Sequence, residues 1–84
     1  MVKWNEFVAS EFEEDEDVES KLAAHLIRFD EAVQCFFNGF EVRSNKKFPD
    51  RFQLWGTTDA GRDLKIIFQL KPGNVVRIIT GWDI

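Results

Sequence analysis

The hydrophobic positions follow a helical period near 3.6 in the first half of the chain and an alternating period of two in the second half. Val18, Leu22 and Leu26 recur at every fourth residue, which predicts an amphipathic helix over residues 17–26. The acidic run at residues 11–19 leads into this helix, because carboxylates are favoured beside the free N–H groups of a first turn. Residues 1–16 form an acidic N-terminal segment to which the pattern assigns no further element.

A second helix is predicted by apolar residues at spacings of three and four. Asp30 is its expected N-cap, and Asn38 and Gly39 are expected to end it, because both tolerate the left-handed conformation of a C-terminal cap. The core-facing stripe consists of Phe29, Val33, Phe36, Phe37 and Phe40.

Four strands are predicted after the second helix, where apolar and polar residues alternate. Leu64, Ile66 and Phe68 share one face of the third strand. Glycine-containing turns at residues 58–61 and 71–74 join the last three strands into an antiparallel meander. The predicted strands cover residues 40–43, 52–57, 64–70 and 75–82. In the last strand, strict alternation puts Val76, Ile78, Thr80 and Trp82 on one face and Val75, Arg77, Ile79 and Gly81 on the other.

Helices followed by an antiparallel sheet define an α+β fold, and 84 residues suit one domain over 1–84. We expect the two N-terminal helices to pack on one face of the four-stranded antiparallel sheet, because this buries the phenylalanine stripe. The opposite face combines Lys65, Gln69 and Arg77 with apolar residues, which suits a ligand or a partner.

The composition of 44% hydrophobic residues, with nine phenylalanines and three tryptophans, excludes a disordered or low-complexity chain. The single cysteine, Cys35, excludes a disulfide framework within the chain and is expected to be a small buried apolar residue. A lone thiol suits the reducing cytoplasm. We expect no membrane contact, because no apolar run approaches the roughly 18 residues that span a bilayer. We expect no signal peptide, because the first residues contain no apolar core behind a basic start.

The formal net charge of −4 is unevenly distributed. Residues 1–42 carry three basic and eleven acidic side chains, whereas residues 43–84 carry eight basic and four acidic side chains. The basic second half keeps nucleic-acid binding open, because binding depends on the local field. The simpler interpretation is that the two halves neutralise each other across the fold.

Three motifs follow one another over residues 22–80. The first places His25, Phe29, Glu31 and Ala32 ahead of a Phe-Phe-Asn sequence. The second is the hairpin sequence D-R-F-Q-L-W-G-T-T-D-A-G-R, and the third is the final V-R-I-I-T strand. In order and spacing these motifs resemble the BrnT-like toxins of the RelE/ParE-like superfamily, which are ribonucleases of bacterial type II toxin–antitoxin pairs.

The resemblance implies a metal-independent mRNA endoribonuclease that needs no cofactor and has an antitoxin-like protein as its partner. The chemistry is attack of a ribose 2′-hydroxyl on the adjacent phosphate. The matching residues are His25 for proton transfer and Arg51 and Arg77 for stabilising the phosphate charge. Further contacts with RNA are expected from four other basic residues, Lys46, Lys47, Arg62 and Lys65.

Most of these candidates also have a structural interpretation. Arg51 and Arg62, near turns, and Lys46 and Lys47, in a loop, are alternatively solvated surface side chains. His25 is alternatively packed between a helix and the sheet, and Arg77 is alternatively held in a cross-strand ion pair with Asp63 or Glu41. Trp82 is either a lid on the core or an exposed anchor for a partner.

The acidic run leaves a second function open. Seven acidic residues within residues 11–19 repel an RNA backbone over about 8 Å at physiological salt. The alternative is a non-catalytic interaction module that keeps the toxin fold and binds a basic partner. A homodimer through an exposed sheet edge is also expected, because edge strands leave backbone groups unpaired.

Overall fold

The computed structural model describes residues 3–84, and Met1 and Val2 of the expected domain lie outside the described residues. Between residues 3 and 84, no helix is long and apolar enough to cross a membrane. A 3₁₀ turn, Trp4–Glu6, precedes the helices α1 (Glu16–Ala23) and α2 (Phe29–Gln34). The strands are β1 (Glu11–Glu13), β2 (Glu41–Ser44), β3 (Arg51–Thr57), β4 (Asp63–Lys71) and β5 (Val75–Asp83).

The strands form one mixed sheet in the order β1-β5-β4-β3-β2. The chain is therefore α+β, as predicted, and β2 to β5 are antiparallel neighbours. The prediction of a four-stranded antiparallel sheet is wrong, because β1 adds a fifth strand that runs parallel to β5.

The additional strand comes from the acidic N-terminal segment. The Phe12 ring lies 5.2 Å from the Phe36 ring, and the Glu13 carboxylate lies 2.5 Å from the Lys71 ammonium. A three-residue strand with one apolar side chain shows too little alternation to be read from sequence. Contacts with residues far along the chain hold it on the sheet.

Helix α1 begins at the predicted place but ends earlier. The Asp15 side chain accepts a hydrogen bond from the Val18 N–H at 2.8 Å and so caps the first turn. Val18 and Leu22 are buried, as predicted. Leu26 lies beyond the helix, is 83% exposed and has a left-handed φ of 59°, so it does not continue the apolar stripe.

Helix α2 has a different cap and a shorter length than predicted. Asp30 is not the N-cap. The N-cap is Arg28, whose backbone N–H donates to the Glu31 carboxylate at 3.0 Å. The helix ends at Gln34, and turns rather than further helix lead to β2.

The segment after α2 is held by a side chain instead of a left-handed cap. Neither Asn38 nor Gly39 has a positive φ, contrary to the prediction. The Asn38 amide donates to the Thr57 carbonyl on β3 at 2.7 Å. This turn leaves Phe37 66% exposed, whereas its neighbour Phe36 is buried.

One core cluster contains side chains from both helices and from one face of the sheet. The Phe36 ring lies 5.1 Å from the Phe68 ring. Cys35 passes so close to Gly56 that a Cβ on this glycine would lie 2.8 Å from the cysteine Cβ. The buried apolar residues are Val18, Leu22, Ile27, Ala32, Cys35, Phe36, Leu54, Leu64, Ile66, Phe68, Val76 and Ile78.

A β-bulge interrupts the pairing of β4 with β5. Ile67 pairs with Thr80, but the next residue, Phe68, pairs with Ile78, so Ile79 is an extra residue in β5. Because side chains alternate along a strand, one extra residue moves every later side chain of β5 to the opposite face of the sheet.

Candidate nucleic-acid interface

The face of the sheet that points away from the core cluster is called the outer face here. Its side chains alternate along β3, β4 and β5 with those of the core. None of them is buried, so the face is accessible to a ligand. Its residues are Arg51, Gln53, Trp55, Thr57, Lys65, Ile67, Gln69, Arg77, Thr80 and Trp82.

One row across the outer face places a lysine between two tryptophans. Lys65 is opposite Trp55 on β3 and opposite Trp82 on β5. Its ammonium lies 4.9 Å from the centre of the Trp55 ring and 5.3 Å from that of Trp82, within the range of cation–π attraction. The row therefore presents two aromatic rings and one unpaired cation, and it ends at Glu41 on β2, which is opposite Trp55 and is paired with Arg43. We call it the tryptophan row.

The bulge creates this row. Strict alternation predicted Trp82 on the same face as Val76 and Ile78, and that prediction is wrong. After the extra residue, Gly81 is buried under Ile66 and Trp82 is on the outer face.

A second row lies four residues further along β4. It places Arg51 and Arg77 on either side of Gln69. The Arg77 guanidinium donates to Gln69 Oε1 at 3.4 Å, and Gln69 Nε2 donates to the Asp50 carboxylate at 2.6 Å. The Arg51 guanidinium lies 4.4 Å from the centre of the Phe48 ring. We call this the arginine row.

Three cations of the outer face form no ion pair with any described residue. They are Arg51, Lys65 and Arg77, so the carboxylate partner considered for Arg77 is not present between residues 3 and 84. At the margin of the face, by contrast, Lys71 is neutralised by Glu13. The three unpaired cations remain available to phosphate oxygens, and arginine matches a phosphate with two parallel donors.

Arg62 lies away from the outer face. Its guanidinium contacts the carboxylates of Asp83 at 2.6 Å and Glu31 at 3.4 Å, and it donates to the carbonyls of His25 at 3.2 Å and Leu26 at 2.8 Å. The hydrogen bond with Asp83 raises the pKa of Arg62 above its ordinary value. A phosphate here would compete with two carboxylates, so the position does not support the expected contact with RNA.

His25 is exposed at the end of α1, and its ring lies 6.3 Å from the Trp82 ring. It therefore lies near the Trp82 end of the tryptophan row. The two rows are about 13 Å apart, since four residues separate them along β4. The expected trio of His25, Arg51 and Arg77 is thus not brought together in one cluster.

Lys46 and Lys47 are exposed in the loop between β2 and β3. The Asn45 side chain accepts hydrogen bonds from the N–H groups of Lys47 at 2.9 Å and Phe48 at 3.2 Å. The Arg51 N–H closes the loop on the Phe48 carbonyl at 3.0 Å. This geometry places both lysines near the arginine end of the outer face.

Trp55 is the aromatic residue of this face that the sequence analysis did not single out. A signal was present, because Trp55 shares the polar side of its predicted strand with Gln53, opposite Phe52 and Leu54. A large aromatic residue on the polar side of a strand is unusual for a solvent-facing position and typical of a contact surface.

Cys35 is buried, as expected, beside α2. Burial, followed by the nearby Glu31 carboxylate, raises the pKa of the Cys35 thiol to about 11. The thiol is therefore protonated at neutral pH and unsuited to nucleophilic attack. In the described part of the chain, no group of three or more His, Cys, Asp and Glu side chains is arranged to hold a metal ion.

The outer face combines half-buried aromatic rings with unpaired cations, which is the composition of surfaces that bind single-stranded nucleic acids. No protein-family model matches this chain, and no curated protein matches it either.

Proposed function

We propose that this protein is the toxin component of a type II toxin–antitoxin-like pair and that its outer face binds single-stranded mRNA. The observation that carries the proposal is the position of Lys65 between Trp55 and Trp82, with Arg51 and Arg77 on the same face. Aromatic rings stack on unpaired bases while cations contact phosphates. A duplex hides the faces of its bases, so the two rings favour a single strand.

The proposal includes the finer BrnT/RelE-like arrangement, with both helices on the sheet face opposite the outer face. The shared core cluster and the accessibility of the outer face support it. An mRNA ligand would place the protein in the cytoplasm. The edge strand β2 offers unpaired backbone groups to an antitoxin-like protein or to a second copy.

The local charge supports RNA binding despite the net charge of −4. On β1, which pairs only with Val75, Val76 and Arg77 at the sheet margin, Glu13 is paired with Lys71, and Glu11 lies opposite Val75 at the outermost corner of the sheet. Further acidic residues of the run cap or begin α1. An RNA strand that follows β3, β4 and the second half of β5 therefore meets the unpaired cations first.

RNA is cleaved at the end of the tryptophan row where His25 lies beside Trp82. The ribose 2′-oxygen bonds to the adjacent phosphorus, the bond from phosphorus to the next 5′-oxygen breaks, and a 2′,3′-cyclic phosphate results. His25 is the group for accepting the 2′-hydroxyl proton, water protonates the leaving oxygen, and Lys65 stabilises charge on the phosphate. Arg51 and Arg77 then hold a different nucleotide of the same strand.

The binding test uses fluorescence anisotropy with a labelled 12-nucleotide oligouridine and a blunt RNA duplex of the same length. We expect tighter binding of the single strand. Three phosphate contacts predict a slope of about −2 for the logarithm of affinity against the logarithm of salt concentration. Equal affinity for the duplex would contradict the role of the rings.

Matched pairs of variants test whether RNA binds at the outer face. Lys65→Gln should weaken binding and reduce the salt slope, whereas Lys21→Gln makes the same change of charge on α1 and should have little effect. Trp55→Ala and Trp82→Ala should each cost about 1–3 kcal/mol of binding free energy, the range for one stacked base. An equal loss for Lys21→Gln and Lys65→Gln would show that only total charge matters.

The cleavage test incubates wild type and His25→Ala with RNA in the presence of a chelator and looks for cyclic phosphate ends. Induced expression should arrest growth, and co-expression of the neighbouring gene should relieve it. If the wild type binds RNA and leaves it intact, the chain is an RNA-binding relative without catalysis. If it binds no RNA and is harmless, the protein-interaction module replaces the toxin.

A further inference from the structure

Strand β2 lies at one edge of the sheet and pairs only with β3. The Asn45 N–H, just after β2, donates to the Arg51 carbonyl at 3.0 Å and therefore points toward β3. Because the backbone groups of successive residues point to opposite sides of a strand, those of Val42 and Ser44 point away from β3. Between residues 3 and 84, no backbone group from outside the sheet bonds to either residue. Within the described chain, this edge therefore offers donors and acceptors to one further strand.

The side chains of β2 carry opposite charges on the same face of the sheet. Glu41 and Arg43 lie on the side of the outer face, opposite Trp55 and Gln53, and both are exposed. Val42 lies between them on the core side, where it packs against the core cluster and is half-buried. A strand that fits this edge therefore has to offer a base opposite the acid, an acid opposite the base and an apolar residue between them.

A second copy of β2 meets these requirements in one register. When two copies pair antiparallel, outward-pointing residues have to face each other, so a twofold axis passes through one residue of the strand. An axis at Glu41 would oppose two carboxylates, and an axis at Arg43 would oppose two guanidiniums, which is unfavourable. An axis at Ser44 would place Val42 opposite Lys46, in the loop after β2. Only an axis at Val42 places Glu41 opposite Arg43 of the second copy.

We propose that this chain forms a homodimer in which two β2 strands pair antiparallel about a twofold axis at Val42. The N–H of each Val42 donates to the carbonyl of the other, and the two side chains cover each other on the core side. Each Glu41 faces Arg43 of the second copy at a position between hydrogen-bonded pairs, where opposing side chains come closest. The contact is closed, because it uses the β2 edge of both copies.

The pairing joins the two outer faces. The twofold axis is perpendicular to the sheet, so both outer faces lie on the same side of one continuous sheet made of two five-stranded halves. The Glu41 carboxylate, which ends the tryptophan row, lies 3.3 Å from the Arg43 guanidinium of its own chain and gains a second guanidinium from the other copy. The dimer forms without RNA, and it rests on the proposed function only for the use of this joined face by a longer RNA strand.

Sedimentation equilibrium without RNA tests the dimer, and the wild type should change from one chain to two as its concentration rises. Glu41→Arg and Arg43→Glu each place like charges opposite each other across the joint, so each variant alone should remain a monomer. Mixed in equal amounts, the two variants should dimerise, because the two acidic side chains of one copy then face the two basic side chains of the other. Glu11→Arg makes the same change of charge at the other edge of the sheet and should dimerise like the wild type. Circular dichroism should show all variants folded.

Amide hydrogen exchange locates the joint. At concentrations where the wild type is a dimer, the N–H groups of Val42 and Ser44 should exchange about tenfold more slowly than in Arg43→Glu, because only the dimer pairs them. The N–H of Glu41 points toward β3 in both proteins and should exchange at a similar rate.

Three results would overturn the homodimer. They are a single-chain mass of the wild type at every concentration, a dimer that neither charge reversal weakens, and a mixture of the two variants that stays monomeric. The first would leave the β2 edge to a different protein. RNA binding is read separately. If the dimer fails while Lys65→Gln still weakens RNA binding, the RNA-binding surface stands, and if the wild type dimerises without binding RNA, the homodimer stands.

Discussion

The Arg62 guanidinium and the Asp83 carboxylate are 2.6 Å apart, and this contact holds a cation against the end of a helix. The same guanidinium donates to the carbonyls of His25 and Leu26. The last carbonyls of a helix have no partner within the helix, so Arg62 satisfies groups that follow α1. It thereby holds the backbone from which the His25 side chain projects.

Arg62→Ala should therefore loosen the end of α1. We expect a lower melting temperature and faster amide hydrogen exchange at residues 25–27, because the two carbonyls lose their donor. Asp83→Asn should produce a smaller effect in the same direction, and the double variant should be no worse than Arg62→Ala alone. Arg43→Ala, which breaks a surface-exposed pair with Glu41, is the control. Unchanged exchange at residues 25–27 would refute the positioning role.

Leu26→Gly should stabilise the protein by roughly 0.5–1 kcal/mol. Leu26 has a φ of 59°, which is strained for a residue with a Cβ, and its exposed side chain contributes little burial. Urea denaturation measures the free energy of unfolding. Leu26→Ala keeps the Cβ and should bring no gain, so an equal gain in both variants would point to the loss of an exposed apolar group instead.

Gly56→Ala should destabilise the protein by about 1–3 kcal/mol, the usual cost of overpacking. The added Cβ would lie 2.8 Å from Cys35 Cβ and 2.9 Å from Leu54 Cδ2, where β3 meets the end of α2. Gly39→Ala is the matched control, because nothing lies within 4 Å of its added Cβ and its φ is not positive. Thermal unfolding of both variants should separate them, and equal melting temperatures would contradict the close packing.

Because the pKa of the Cys35 thiol is raised, we expect the protein to lose stability at alkaline pH. Burial raises the pKa of its thiol from the ordinary 9.0 to about 11, so above pH 9 the unfolded chain loses this proton more readily than the folded chain. The stabilisation that the protonated Cys35 thiol provides is complete below pH 9 and is lost as the pH rises toward 11. Urea titrations between these pH values should show a steeper decline for wild type than for Cys35→Ala. Parallel declines would show that the thiol ionises equally in both states.

The pattern of the sequence alone determined the α+β class, the antiparallel meander and the burial of Leu64, Ile66 and Phe68. These features could be read because alternation along a strand records which side chains leave water, and short turns bring neighbouring strands together. The basic character of the outer face was also visible, since Lys65 and Arg77 occupy the polar side of their strands.

Only the tertiary structure decided the rest. Three features depend on groups that are distant in sequence. They are the parallel pairing of β1 with β5, the hydrogen bond from Arg62 to the Leu26 carbonyl after α1, and the bulge at Ile79. The bulge matters most, because one unpaired residue moves Trp82 from the core side to the side of Lys65. Local periodicity carries no record of such a shift, since strand register is set by the energy of the whole paired sheet.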